Sequence, residues 1–519
     1  MQIRRFLGGL GGVLGSAALL FTTMAGGAQA AAPTANVTVA LSGDAVCLLP
    51  YNTNDNLSFG VESNIYQGLV GYNAKMQLVG ELAKSWTVAA NAKSITFNLN
   101  PAARFSDGTK VTAQDVKESF TFLLNPKNNL VRTALYSVIS QINVLGPETV
   151  QFQLSKPFGA ILPTFAHPAG AVVEPSVLSK GVNYLCANPV GGTGPFVFKD
   201  WVQGDHITLV RNANYWNPAN AAKIASITYK PVADASARIA GLETGQFQAI
   251  YPVPNELVQS LKSQPGINVQ VGSSNAAWYV AMNTQQGPLK NVLVRQALNY
   301  AVDKATFINV VWGGYGQPLN SPVPPADAYA INAGNYNYNP AKAKQLLAKA
   351  GYPHGFTTVL WVGNSTESIY AATFIQQQLA QVGVNVKVEP MDNASLDSAI
   401  FTPTAVKTLR MNYTGWSAST GDADWALRPL LATSSWPPSL YNLAFFGNKQ
   451  FDSLLQQGLN SGAPAVRAKA YAAAQKLAWQ QAPWIFLGVS DNIWATRSNV
   501  KGIVVREDEV PLIYGAYVQ

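Results

Sequence analysis

Between residues 339 and 388, helix and strand patterns follow one another, and each helix pattern is closed by its own stop. Asn339-Pro340 opens the first helix, with Asn as cap and Pro at the first helical position. Ala343, Leu346, Leu347 and Ala350 form its apolar stripe, and Gly351 ends it. A second helix carries Phe374, Ile375, Leu379 and Val382, and Gly383 stops it before a strand at Val384–Val388. Alternating helices and strands bury both faces of a sheet, so the expected fold class is α/β. The same logic recurs upstream. Ile95, Phe97 and Leu99 alternate with polar residues, as do Val150, Phe152 and Leu154 after the Gly146-Pro147 turn. Thr112 caps a helix with Val116, Phe120, Leu123 and Leu124 on one face. A late helix is expected at about Ala465–Gln481, and Pro318–Pro325 reads as an ordered connector.

At 519 residues the chain has room for two to four domains, and 48% apolar residues supply a large core. Charged residues are 12% and no four Lys or Arg run together, so the net charge of +8 forms no nucleic-acid stripe. Three His and two Cys leave no room for the usual His and Cys metal cluster. No cofactor is expected.

The first thirty residues read as an export signal. Arg4 and Arg5 precede an apolar stretch, strongest over Val13–Met24, and Ala28-Gln29-Ala30 supplies a small-x-small cleavage pattern near Ala30. The competing reading is a membrane anchor, which the glycines in the stretch disfavour as a span. No Cys follows the apolar stretch, so a lipoprotein is not expected. Cleavage would remove two of the 35 basic residues and none of the 27 acidic ones, leaving +6. After export, Cys47 and Cys186 are either one disulfide or two buried free thiols.

Catalytic patterns are missing from the sequence. There is no Gly-x-Ser-x-Gly elbow and no His-Glu-x-x-His helix. The run Gly191-Gly192-Thr193-Gly194 lacks the Lys-Ser or Lys-Thr of a phosphate loop. His167, His206 and His354 sit beside apolar or turn residues and read as structural or surface groups. Asp422 and Asp424 are a close carboxylate pair that acid–base chemistry could use. They fall in an aromatic and hydroxyl-rich stretch, Tyr413 to Trp425, which suits either a polar ligand or a loop packed on its own core.

Several blocks resemble the extracellular solute-binding proteins of the dipeptide, oligopeptide and nickel group (family 5). They are Leu82-Ala83-Lys84-Ser85-Trp86, Arg104-Phe105-Ser106-Asp107-Gly108-Thr109, Pro189 to Phe196, Arg211 to Trp216, Arg295 to Ala301, and Tyr338-Asn339-Pro340. Tyr413 to Gly421, Asp424-Trp425-Ala426-Leu427, Trp436-Pro437-Pro438 and Asn448-Lys449-Gln450 are most similar to the glutathione-binding members. The resemblance implies a periplasmic two-lobed receptor of the Venus-flytrap type with an extra inserted domain. The first lobe would be 31–65, 189–275 and 486–519, the inserted domain 66–188, and the second lobe 276–485. A monomer would capture a small peptide-like ligand between the lobes and deliver it to the membrane permease of an ABC importer, with no chemistry of its own.

The implied ligand residues are Trp416, Ser417, Ser419, Asp422 and Asp424 in the second lobe, with Tyr279 and Asn283 near the hinge. Cys47 and Asn54 would lie on the first-lobe rim, and Gly194 and Phe196 on its floor. Asp422 or Asp424 would pair with an ammonium group. Two departures stand out. Ser419 occupies the place where receptors for linear peptides carry an Asp for the α-amino group, and Trp278 stands where the glutathione type carries an Arg. Arg410 or Arg428 could replace that cation. Glutathione or a related small peptide is the expected ligand. Another solute (a dipeptide, nickel chelate or opine) is the alternative within the class, and a secreted hydrolase using Asp422 and Asp424 the alternative outside it.

Overall fold

The computed structural model describes residues 33–53 and 55–519. The export signal and Asn54 lie outside the described residues. The alternations read from the sequence appear as elements. Ser94–Leu99 and Thr149–Leu154 are paired strands whose Ile95, Phe97, Leu99, Val150 and Phe152 are buried. Thr112 and Asp115 form a reciprocal capping box on the helix Ala113–Leu124, which buries Val116, Phe120 and Leu123. Asn339 accepts from the Lys342 N–H and starts the helix Pro340–Lys349, and Gly351 follows at φ +90°. The strand expected at Val384–Val388 runs on to Met391. The late helix spans Pro464–Gln481.

Two large sheets organise the molecule. The first has seven strands, ordered Ile267–Gly272, Asn492–Arg497, Ala249–Tyr251, Asn36–Leu41, Ser226–Pro231, His206–Arg211, Phe196–Val202. The second has six, ordered Gly316–Pro318, Trp484–Ser490, Ala276–Met282, Met411–Ser417, Phe356–Gly363, Val384–Met391. Successive side chains of a strand point to opposite faces. In the second sheet Ala277, Tyr279 and Ala281 therefore join one core with Trp484 and Phe486, while Val280 and Met282 join another with Ile485 and Leu487. A third, four-stranded sheet, built from residues 83–154, packs with its helices into a core centred on Phe97, Phe120, Phe152 and Phe165. That core is continuous with one face of the seven-stranded sheet.

The chain crosses between the large sheets at 272–276 and at 490–492. Trp484–Ser490 pairs with Ala276–Met282 along its length, so the lobe boundary expected at 485/486 moves to the end of this strand. The two crossings are tied where Ser274 Oγ donates to the Ser490 carbonyl at 2.5 Å. Cys47 and Cys186 are joined by a disulfide. No described helix is long and apolar enough to cross a membrane.

Candidate functional site: a cleft between two lobes

A cavity of about 970 Å³ lies between the second lobe and the side formed by the inserted domain and first lobe. One wall comes from the end of the strand Met411–Ser417 and the helix Ala423–Leu431 that follows it. Trp416 donates from Nε1 to the Trp425 carbonyl at 3.1 Å and packs against Tyr441 with ring centroids 5.2 Å apart. Ser417 and Ser419 line the same wall. Ser417 Oγ donates to Asn275 Oδ1 at 2.5 Å, so its orientation is fixed from the crossing segment. Tyr279 also lines the cavity, stacked at 3.8 Å on Trp484.

The carboxylate pair divides. Asp424 reaches the cavity and holds Arg428 through both oxygens, at 2.7–3.0 Å. Asp422 is not on the cavity wall. Its Oδ1 accepts from Arg467 at 2.8 Å and from the Asp424 N–H at 2.9 Å, so it caps the helix from behind. Burial pushes its carboxyl above the usual range, with Arg467 opposing. One turn of chain separates ligand wall from buried cap, and the pairing of either aspartate with a ligand ammonium is corrected by the arginine each already holds.

Other expected site residues also prove structural. Asn283 is fully buried, and its amide donates to the carbonyls of Val406 and Leu409 at 2.9 and 2.8 Å. Gly194 packs so closely on the preceding domain segment that a Cβ would come within 2.5 Å of the Asn64 carbonyl oxygen. Phe196 is buried beside it, its N–H donating to Asn64 at 3.0 Å. Cys47 is buried in the disulfide. None of these four lines the cavity. His167 is structural, its Nδ1 accepting from the Ala169 N–H, and burial pulls its pKa well below the usual value.

The opposite wall escaped the sequence reading. Asn56, Arg132, Lys156, Phe158 and Glu509 line it. Arg132 donates from Nε to the Thr53 carbonyl at 2.6 Å and lies 5.3 Å from the Phe59 ring centroid. Burial lowers the pKa of its guanidinium, and among the described residues no carboxylate forms an ion pair with it. Glu509 accepts from Asn56 Nδ2 at 2.7 Å, has no ion-pair partner among the described residues, and is pushed up by burial. Arg132 and Glu509 come from segments that no local pattern connects, so only their charge could have drawn notice. Trp278 lines the cavity and stacks on Tyr413 at 5.3 Å. Gly415, its cross-strand neighbour, leaves room for the indole, since a Cβ there would come within 2.9 Å of it. Of the two candidate replacement cations, Arg428 reaches the cavity and Arg410 does not. A second cavity of about 340 Å³, lined by Glu81, Tyr215 and Tyr514, separates the inserted domain from the first lobe and holds none of the expected ligand residues.

Two sheet-based lobes joined by paired crossings, with an enclosed polar and aromatic cleft, define a two-lobed solute-binding protein. The family of bacterial extracellular solute-binding proteins, family 5 Middle, matches residues 77–438. The glutathione-binding protein GsiB of Escherichia coli (strain K12) is 40% identical over 475 residues, covering 91% of this chain and 92% of that protein. Among solved structures, the periplasmic binding protein DppA of Helicobacter pylori in complex with the peptide STSA has TM-score 0.78 and 26% identity, covering 94% of this chain and 98% of that one. HbpA2 of Haemophilus parasuis has TM-score 0.81 and 26% identity, covering 93% and 100%. The chain belongs to the bacterial extracellular solute-binding proteins of family 5.

Proposed function

We propose that this protein is the receptor of an ABC importer that captures glutathione, or a closely related small γ-glutamyl peptide, in the interlobe cleft. The observation that carries the ligand reading is the charge pattern of the cavity. Asp424 and Arg428 satisfy each other, which leaves Arg132 and Lys156 as cations, and Glu509 and the exposed Asp397 as carboxylates. Glutathione carries two carboxylates and one ammonium. Its carboxylates fit Arg132 and Lys156, and its ammonium fits Glu509. Burial disfavours the charge of both Arg132 and Glu509 in the empty cleft, so an oppositely charged ligand group relieves each. The 40% identity to a glutathione-binding protein supports the same ligand.

Trp416, Trp278 and Tyr279 wall the pocket, and Ser417 and Ser419 supply hydroxyls. In this reading the lobes are the segments expected from the sequence, with the last boundary at 490/491. Ligand bridges the two walls, favours the closed form and is handed to a membrane permease without turnover. The protein is exported through a cleaved signal and acts as a monomer. A thermal-shift screen of the mature protein tests the ligand, because a ligand that binds only the native state raises the melting point. Reduced glutathione at millimolar concentration should raise it. A rise with a dipeptide, an opine or nickel–histidine and none with glutathione overturns the ligand, and turnover of glutathione overturns the receptor-only reading.

A further inference from the structure

Beside the ligand cavity, the inserted domain touches the second lobe through backbone. Phe158, a cavity residue, is pinned to the hairpin turn of its own domain by its N–H to the Ala92 carbonyl at 2.9 Å. The next residue, Gly159, donates its N–H to the Leu459 carbonyl of the second lobe at 2.6 Å. A few residues on, Gly462 returns the contact by donating to the Ala90 carbonyl at 3.3 Å. Leu459, at the end of the helix Lys449–Leu459, packs into the core of the inserted domain rather than that of its own lobe. The Arg428 guanidinium, from the cavity wall, sits 5.7 Å from the Phe158 ring centroid.

The two glycines are reciprocal. A Cβ on Gly159 would run into the Ser461 carbonyl oxygen and come within 2.9 Å of that of Gly458. A Cβ on Gly462 would come within 2.6 Å of the Ala89 carbonyl oxygen and 3.1 Å of a Val88 methyl. In each case the nearest atoms belong to the other domain. Neither glycine has a positive φ, so neither is required by its own backbone. Glycine at both positions is explained by close backbone approach across the cleft, and by nothing within either domain.

We infer that Gly159 and the Leu459–Gly462 segment form a latch that fastens the inserted domain to the second lobe and sets ligand affinity without touching ligand. Two backbone hydrogen bonds and one buried leucine raise the population of the closed form, and apparent affinity scales with that population. Gly159 and Gly462 are positioning residues. Their link to affinity rests on the receptor reading above; their effect on opening does not.

The test compares Gly159→Ala, Gly462→Ala and the double variant in the full mature protein. Small-angle scattering without ligand should show a larger radius of gyration in each, with the melting temperature unchanged because alanine strains neither domain alone. The off-rate for glutathione should rise on the order of tenfold, with the on-rate nearly unchanged. The double variant should match the single ones, since one clash already opens the latch. Wild-type scattering and off-rates in both single variants overturn the latch. If Gly159→Ala lowers the melting temperature, Gly462→Ala decides from the other side of the contact. If wild type binds no glutathione, the ligand reading fails while the scattering still decides the latch.

Discussion

On one side of the cleft, Trp416, Trp425, Asp424 and Arg428 come from the single stretch 416–428; on the other, Asn56 and Glu509 touch each other from positions 453 residues apart. The first wall is local. Its strand end, cap and helix place aromatics and an ion pair at fixed spacing, and its shape follows from short-range rules. The second wall is assembled from a hairpin domain, a linker and the chain terminus, and its order depends on ties between them. The Arg132 segment leans on residues 51–53 through the Arg132 N–H and Nε. The disulfide fastens the strand following Leu41 to the end of the inserted domain, where the Leu48 N–H also meets the Cys186 carbonyl. A wall made from one segment tolerates loss of a distant tie, and a wall made from many does not.

The largest expected effect breaks the assembled wall. Replacing Cys47 and Cys186 by Ser opens a loop of 139 residues and should cost about 4–5 kcal/mol by the chain-entropy model. Urea unfolding of the exported protein measures it, and two free thiols in denaturant would show that the bridge does not form.

Next comes the contrast within the local wall. Asp422 and Arg467 have side chains 3% and 5% exposed, so Asp422→Ala strands a buried cation and should cost about 3–5 kcal/mol of stability, with affinity little changed in the folded fraction. Asp424→Ala frees Arg428, which is 25% exposed, so its stability cost should be smaller and its effect on affinity larger. Equal affinity losses in the two variants would erase the distinction between wall and backing.

Arg132→Ala tests the assembled wall by charge. Loss of a charge-assisted contact of about 2–3 kcal/mol predicts roughly 30- to 150-fold weaker glutathione binding by calorimetry. The melting temperature should hold or rise, because a half-buried cation is removed. An unchanged affinity would move the carboxylate contacts to Arg428.

The smallest effect lies outside the cleft. Burial pushes Glu81 up to about 7, against the Gly68 N–H and Arg506 that pull it down. The folded state then holds the proton more tightly than the unfolded chain, so this contribution is full below pH about 4.5 and is lost as pH rises through about 7. Glu81→Gln should flatten the melting temperature over that window, and an unchanged slope would assign the pH dependence elsewhere.

How legible each part was follows the same division. Asn339, Thr112, Gly351 and the alternation at 95–99 were readable because caps and periodicity act within a few residues. Trp416, Ser417, Ser419 and Asp424 were readable as a cluster because one strand–helix turn presents them together. Asn283 and Asp422 are equally polar in the sequence, yet their hydrogen bonds close on Val406, Leu409 and Arg467, partners that spacing could not reveal.

The sequence by itself determined the α/β class, the element boundaries near their caps and the local half of the site, since these rest on interactions between neighbours in the chain. Only the tertiary structure decided which of two adjacent aspartates meets the cavity, which arginine faces it unpaired, and that Gly159 and Gly462 meet across it. Those outcomes depend on burial and on partners brought together by two chain crossings, and the energy of a buried charge is set by what surrounds it in space rather than by what precedes it in sequence.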